Sequence, residues 1–264
     1  EGAASEDPTS AKRSGLPATA NVKVLVAKCQ WSKCVFAHVV PQKGVDPDRY
    51  AVERLSRDLR WLGHTRVILK SDNEHAILKL LSEVLKGLRI EQLQQAAESH
   101  PPIYDPSSNG ATENACKIVA GMVRTLKSDL EERIQKEIPI EHPVMGWMVE
   151  HAAWLITCRP RLDDGTTPYQ RARGSNFKRD MLCFGESALY KIPTGRLDRS
   201  MKGKFAPRWS EVVFLGYSRD SGEYLFWDIK SSELATSGNV RGLMRDIRFH
   251  SDAIEVINVR PQDV

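Results

Sequence analysis

The sequence predicts an α/β domain followed by a small β-rich C-terminal module, and three observations carry that expectation. Two β-branched runs, VKVLVAK at 22–28 and CVFAHVV at 34–40, lead into alternating helical and strand patterns. Two later stretches, starting near Ala111 and Pro143, repeat their apolar residues at helical spacing. The tail holds four short runs, SALYKI, EVVFLGY, EYLFWDI and RDIRF, separated by Gly, Ser and Asp turns.

The balance of 41% hydrophobic and 27% charged residues over 264 positions argues against overall disorder. No stretch approaches the roughly 18 unbroken apolar residues of a membrane helix. Residues 1–21 are rich in Ala, Ser, Pro and Gly and read as a disordered lead; without an apolar core they are not a secretory signal. The five cysteines form no C-x-x-C pair, which argues against a disulfide scaffold and a zinc knuckle and for a reduced, intracellular protein.

Taken in order, QWSK turns the first hairpin, and Pro41 and Gly44 end it. From Pro47 to Leu62, Val52, Leu55, Leu59 and Leu62 mark an amphipathic helix closed by Gly63. RVILK at 66–70 predicts a short buried strand. Ser71 is expected to cap a second helix with Ile77, Leu80, Leu81, Val84 and Leu85 inward. Residues 90–97 fit either strand or helix, and 101–110 read as a loop. Long helices are expected from Ala111 to about Lys136 and from Pro143 to about Thr157. The expected division is a lead at 1–21, a core at 22–157, a basic connector at 158–186, a β-module at 187–250 and a tail at 251–264. Trp147 and Trp154, seven residues apart on one helix face, read as core, as do Trp209 and Trp227 in the module. His142 and His151 have no metal-ligand companions at useful spacing and read as structural.

Charge is uneven. Between Cys158 and Trp209, twelve Lys or Arg face five Asp or Glu, a balance of +7 in a chain of net charge +4. Such a segment suits a nucleic-acid partner or a solvated surface.

Two acidic residues stand out. Asp72, in VILKSDNE, follows the C-terminal end of a strand, where open α/β sheets place ligands; it also suits a helix cap. Glu113, in SNGATEN, falls in the first turn of a long helix, where the helix dipole favours a carboxylate. On that helix Ile118, Val119, Met122, Val123, Leu126, Leu130 and Ile134 form an apolar stripe. Glu113, Lys117, Ala120 and Arg124 share the opposite face, which suits a phosphate backbone or plain solvent. Two carboxylates brought together could hold a divalent metal, but forty intervening residues give no distance.

The order of these elements resembles the retroviral and retrotransposon integrase catalytic core. VKVLVAKCQWSKCVFAHVVPQKG is similar to its second and third strands, TRVILKSDNEHAI to its fourth strand, and SNGATENACKIVAGMVRTLK to its glutamate-bearing helix. HPVMGWMVEHAAWLI, DGTTPYQRARG and FGESALYKIP resemble the region after the core in copia-like retrotransposon polyproteins, and EVVFLGYSRDSGEYLFWDI the β-module that follows. The resemblance spans most of residues 22–250. It implies a ribonuclease H-like fold, with Asp72 and Glu113 as the second and third members of a catalytic, metal-binding Asp–Asp–Glu triad. It also implies Mg²⁺ or Mn²⁺ as cofactor, and Asn109, Lys117 and Arg124 as nucleic-acid contacts. The partners would be DNA (element ends and target), with homo-oligomerisation allowed, no membrane, and a nuclear location for a working integrase.

The chain departs from the family where the first Asp should lie. Residues 1–21 take the place of the first strand without strand periodicity, and Asp7 stands at a comparable distance in the loop-like EDPTS. The His and Cys residues that bind zinc ahead of many integrase cores are also missing from the sequence. Loss of a central strand would leave backbone groups of its neighbours unpaired, at about 1–3 kcal/mol for each one buried. Either the fold rearranges, or residues 1–21 fill the gap poorly, or the chain is a fragment of a longer polyprotein. The leading expectation is the integrase catalytic core of a retrotransposon, whose family performs DNA integration by metal-dependent polynucleotidyl transfer, in degenerate form here. The alternatives are a non-catalytic, transposon-derived nucleic-acid-binding protein and a purely structural interaction module.

Overall fold

The structure is a computed structural model that describes residues 22–91, 95–99, 110–193 and 207–264. It is a mixed α/β arrangement of three sheets and six α-helices among those residues. None of these helices is long and apolar enough to cross a membrane.

The hairpin forms as its sequence predicts. β1 (Lys23–Lys28) pairs antiparallel with β2 (Val35–Val40), from Lys23 opposite Val40 to Lys28 opposite Val35. Its turn closes through Cys29 N–H donating to Cys34 O and Lys33 N–H donating to Cys29 O, both 2.9 Å, with Lys33 at φ 66°.

Helix α1 (Tyr50–Leu62) starts three residues later than Pro47, because buried Asp46 fixes its first turn. The Asp46 carboxylate accepts from the backbone N–H groups of Tyr50 and Ala51, each at 2.9 Å. Such an acceptor satisfies donors that a helix start leaves open. Gly63, at φ 71°, ends the helix as expected.

β3 (Arg66–Lys70) pairs in parallel with β4 (Gln95–Ser99), which resolves the ambiguous 90–97 segment into a helix end and a strand. Two expectations fail here. The strand is not buried: Ile68 is 72% exposed, and only Val67 and Leu69 turn toward the helices. Nor does Ser71 cap the next helix, since α2 (His75–Glu91) begins where Glu74 O accepts from Leu78 N–H. The inner face of α2 is as predicted, with Leu80, Leu81, Val84 and Leu85 buried. Among the described residues β1 and β3 each have one strand partner and are not paired with each other, so the α/β part contains two separate two-stranded ribbons.

Helix α3 (Gly110–Ile134) rests on Val119 and Leu130, with Met122, Val123 and Leu126 half-buried. Ile118 departs from the expected stripe and is 43% exposed, because the buried seam follows Ala115, Val119 and Leu130. Helix α4 (Val144–Cys158) is apolar on nearly every side and is correspondingly buried; it packs on β2, α3 and the C-terminal sheet. Trp147 and Trp154 are both buried, as read from their spacing.

The segment read as a connector contains a short helix, α5 (Pro168–Arg173). Thr167 Oγ1 caps it by accepting from Gln170 N–H at 3.0 Å. The C-terminal sheet is antiparallel in the order β8 (Glu233–Ser237), β7 (Tyr224–Asp228), β6 (Trp209–Tyr217), β5 (Ser187–Lys191), β9 (Val240–Gly242). Trp227 is fully buried, whereas Trp209 is only half-buried under the Arg241 guanidinium, 4.3 Å from its ring centroid.

One apolar cluster joins the two halves. Phe36 of β2, Trp61 of α1 and Trp154 of α4 pack with Phe214, Tyr217 and Phe226 of the sheet. A second cluster sets Trp147 and Met148 of α4 against Val213, Leu215 and Trp227. The C-terminal helix α6 (Ser251–Glu255) adds Ala253 and Ile254 to that second cluster.

Candidate functional site

Asp72 lies just beyond the C-terminal end of β3, and Glu113 lies in the first turn of α3; both side chains are exposed. One thiol reports on both. The Cys116 thiol is pushed up by partial burial, then by the Asp72 carboxylate and the Glu113 carboxylate. Asp72 does not occupy the N-cap position of α2, which begins with Glu74 as its first acceptor. No group of three or more His, Cys, Asp or Glu residues arranged to hold a metal ion occurs among the described residues. Asn109 and Asp7 lie outside the described residues.

Lys117 and Arg124 share the exposed face of α3 with Glu113, as the helical spacing predicts, and form no ion pair among the described residues. The basic 158–209 segment behaves differently. Arg171 pairs with Asp164 at 2.8 Å, and Arg161 donates to Gly165 O at 3.0 Å. Arg173 donates to Trp61 O, and Arg179 reaches Gly222 O and Gly238 O. Arg173 and Arg179 fasten the segment to the end of α1 and to turns of the C-terminal sheet, whereas the Arg161 and Arg171 contacts stay within the segment. The Lys and Arg residues from Arg196 to Lys204 lie outside the described residues.

A second polar constellation emerges only in three dimensions. Buried His38 of β2 is within 2.8 Å of Asp58 Oδ2 on α1 through Nε2, and within 2.8 Å of Glu150 Oε1 on α4 through Nδ1. Burial alone would push the imidazole down; the Asp58 and Glu150 carboxylates outweigh it and push it up to about 9. Burial would likewise raise Glu150, and His38 holds it below the usual carboxylate range. Behind this trio the Arg219 guanidinium sits 3.9 Å from Asp58 Oδ1 and faces the rings of Phe36 and Trp154 at 4.5 and 5.4 Å. The sequence does carry a signal for it: His38 interrupts an apolar strand, and Asp58 falls between Leu55 and Leu62 on the apolar side of α1. His142 and His151 are structural, as expected. His142 Nδ1 accepts from Val144 N–H, and His151 is buried among Phe184, Phe214 and Tyr217, with burial pushing it down to about 3.

No protein-family model matches the chain, and no curated protein matches it. Among solved structures the chain is similar to the catalytic core domain of BIV integrase, at 19% sequence identity and a TM-score of 0.39, over 56% of this chain and 84% of that one.

Proposed function

We propose that this chain derives from the integrase core of a copia-like retrotransposon, with a ribonuclease H-like ancestry, and that it retains nucleic-acid binding without strand transfer. The observation that carries this reading is the placement of Asp72 just beyond the C-terminal end of β3 and of Glu113 in the first turn of α3, in the order of the motifs that hold them. In the parent chemistry, carboxylate-held metal ions activate an attacking and a leaving oxygen at phosphorus. Here Asp72 and Glu113 offer two carboxylates, a donor set that fits one weakly held Mg²⁺ or Mn²⁺ completed by water and substrate phosphate. They fall short of the set needed to fix two ions. Accordingly, purified protein should fail to join a labelled oligonucleotide to plasmid DNA. Robust joining abolished by Asp72→Asn would reveal a carboxylate supplied from elsewhere, with Asp7→Asn the next variant to assay.

The remaining activity is contact with DNA phosphates through the outer face of α3, where Lys117 and Arg124 stand unpaired among the described residues. Affinity for duplex DNA should fall linearly with salt on logarithmic axes, by about 0.9 for each phosphate neutralised. Lys117→Ala with Arg124→Ala should reduce that slope by roughly two contacts and leave relative affinities for different sequences unchanged. Because Arg173 and Arg179 are used to dock the connector on the rest of the protein, α3 rather than that segment is the surface to mutate. Titrations at several salt concentrations decide the matter. No binding at low salt, or no response to the double variant, would leave the chain an interaction module.

A further inference from the structure

The junction between the helices and the C-terminal sheet encloses a cavity of about 230 Å³. Its walls include Arg54 and Arg57 of α1, Glu150 and Trp154 of α4, and Arg219 after β6. Both terminal nitrogens of the Arg219 guanidinium are buried and have no hydrogen-bond partner among the described residues. So are Trp154 Nε1 and His151 Nδ1, on two other residues of the same wall that are each 3% exposed or less. Three unsatisfied buried polar groups around one space is unusual, since an unmet buried donor costs roughly 1–3 kcal/mol and native proteins keep few of them.

The unmet donors, two of them on a guanidinium, point to an acceptor as the missing partner. Asp58 and Glu150 are already engaged by His38, which carries a proton when it bridges both. Arg54, Arg57, Arg219 and protonated His38 line the space with Asp58 and Glu150, so the lining charges largely offset one another and the unmet donors decide what is missing. Arg57 pairs in addition with Asp220, and Arg54 donates to Pro261 O at 2.6 Å, so both are held at the cavity rather than free to swing away. A guanidinium presents parallel N–H donors that match the two oxygens of a carboxylate or phosphate. The volume is below the roughly 300–1,000 Å³ of drug-sized pockets, which favours a small ion over a nucleotide.

We propose that this cavity is a binding site for one small oxyanion, a phosphate or carboxylate group, held by the Arg219 guanidinium with Trp154 Nε1 as a further donor. The site is separate from the Asp72–Glu113 edge and does not depend on the reading of that edge. An occupant there bridges α1, α4 and the β6–β7 turn, and so ties the helical part to the sheet.

The test is thermal unfolding of the full chain against sodium phosphate and, separately, sodium acetate, with sodium chloride holding ionic strength constant. A ligand bound only by the folded state raises the melting temperature in a saturable way. A saturable rise with phosphate, or with acetate, is expected, and whichever saturates at lower concentration names the source of the oxyanion. Arg219→Lys keeps the charge but loses the planar fork, and should raise the half-saturation concentration at least tenfold. Trp154→Phe keeps the ring and removes one donor; it should raise half-saturation severalfold and serves if the first variant does not fold. Anion-induced change in tryptophan fluorescence provides a second readout under native conditions. Shifts that follow ionic strength alone, or saturation identical in both variants, would mean that water fills the cavity and would overturn the proposal.

Discussion

Asp58→Asn is expected to lower the unfolding free energy by about 3–5 kcal/mol, the cost typical of removing one partner from a buried charge network. Asp58 is 3% exposed and accepts from His38 at 2.8 Å, with Arg219 3.9 Å away on its other oxygen. The neutral amide would leave His38 with Glu150 alone and Arg219 facing only aromatic rings. Urea unfolding should show a lower midpoint with an unchanged slope, because the surface exposed on unfolding does not alter. The same network sets a pH dependence. His38 is raised from 6.5 to about 9, so its proton favours the folded state. That contribution is complete below pH 6.5 and disappears as pH climbs through 9. Wild-type stability should therefore decline across that window, and the decline should flatten in Asp58→Asn. A variant as stable as the wild type, with the same pH profile, would remove the network from the account of the fold.

Trp154→Ala should cost a similar amount, about 3–5 kcal/mol, for a different reason. The indole is 2% exposed and touches Trp61, Tyr169, Phe177 and Tyr217 at ring-centroid distances of 5.2–6.2 Å. Truncation opens a cavity where helix α4 meets the C-terminal sheet, and close-packed neighbours collapse only partly into it. The loss should appear in thermal or urea unfolding followed by circular dichroism. DNA affinity per folded molecule should stay unchanged, since α3 presents Lys117 and Arg124 on the opposite, exposed side of its own packing seam. A large loss of DNA affinity in a variant with intact stability would instead make Trp154 part of a binding surface.

Periodicity in the sequence determined most of the elements by itself. The hairpin, α1, α2, α3 and α4 lie where spacing of apolar residues put them, because burying one helical stripe or one strand face is a local constraint written every two to four residues. The exposed grouping of Glu113, Lys117 and Arg124 was legible for the same reason. Tertiary structure alone decided three things. β3 has the apolar run of a strand buried on both faces, yet Ile68 is exposed while Val67 and Leu69 on the other face are half-buried, because burial depends on whether another layer covers each face and no local pattern encodes that. Asp46 sets the start of α1 through side-chain bonds to Tyr50 and Ala51, while Ser71, which suits a cap, does not occupy one; capping is settled by where the chain turns. Finally, His38, Asp58, Glu150 and Arg219 stand as isolated polar residues along 182 positions of sequence. They become one charge network only where β2, α1, α4 and the β6–β7 turn converge, since pairing of buried charges is a property of distance in space.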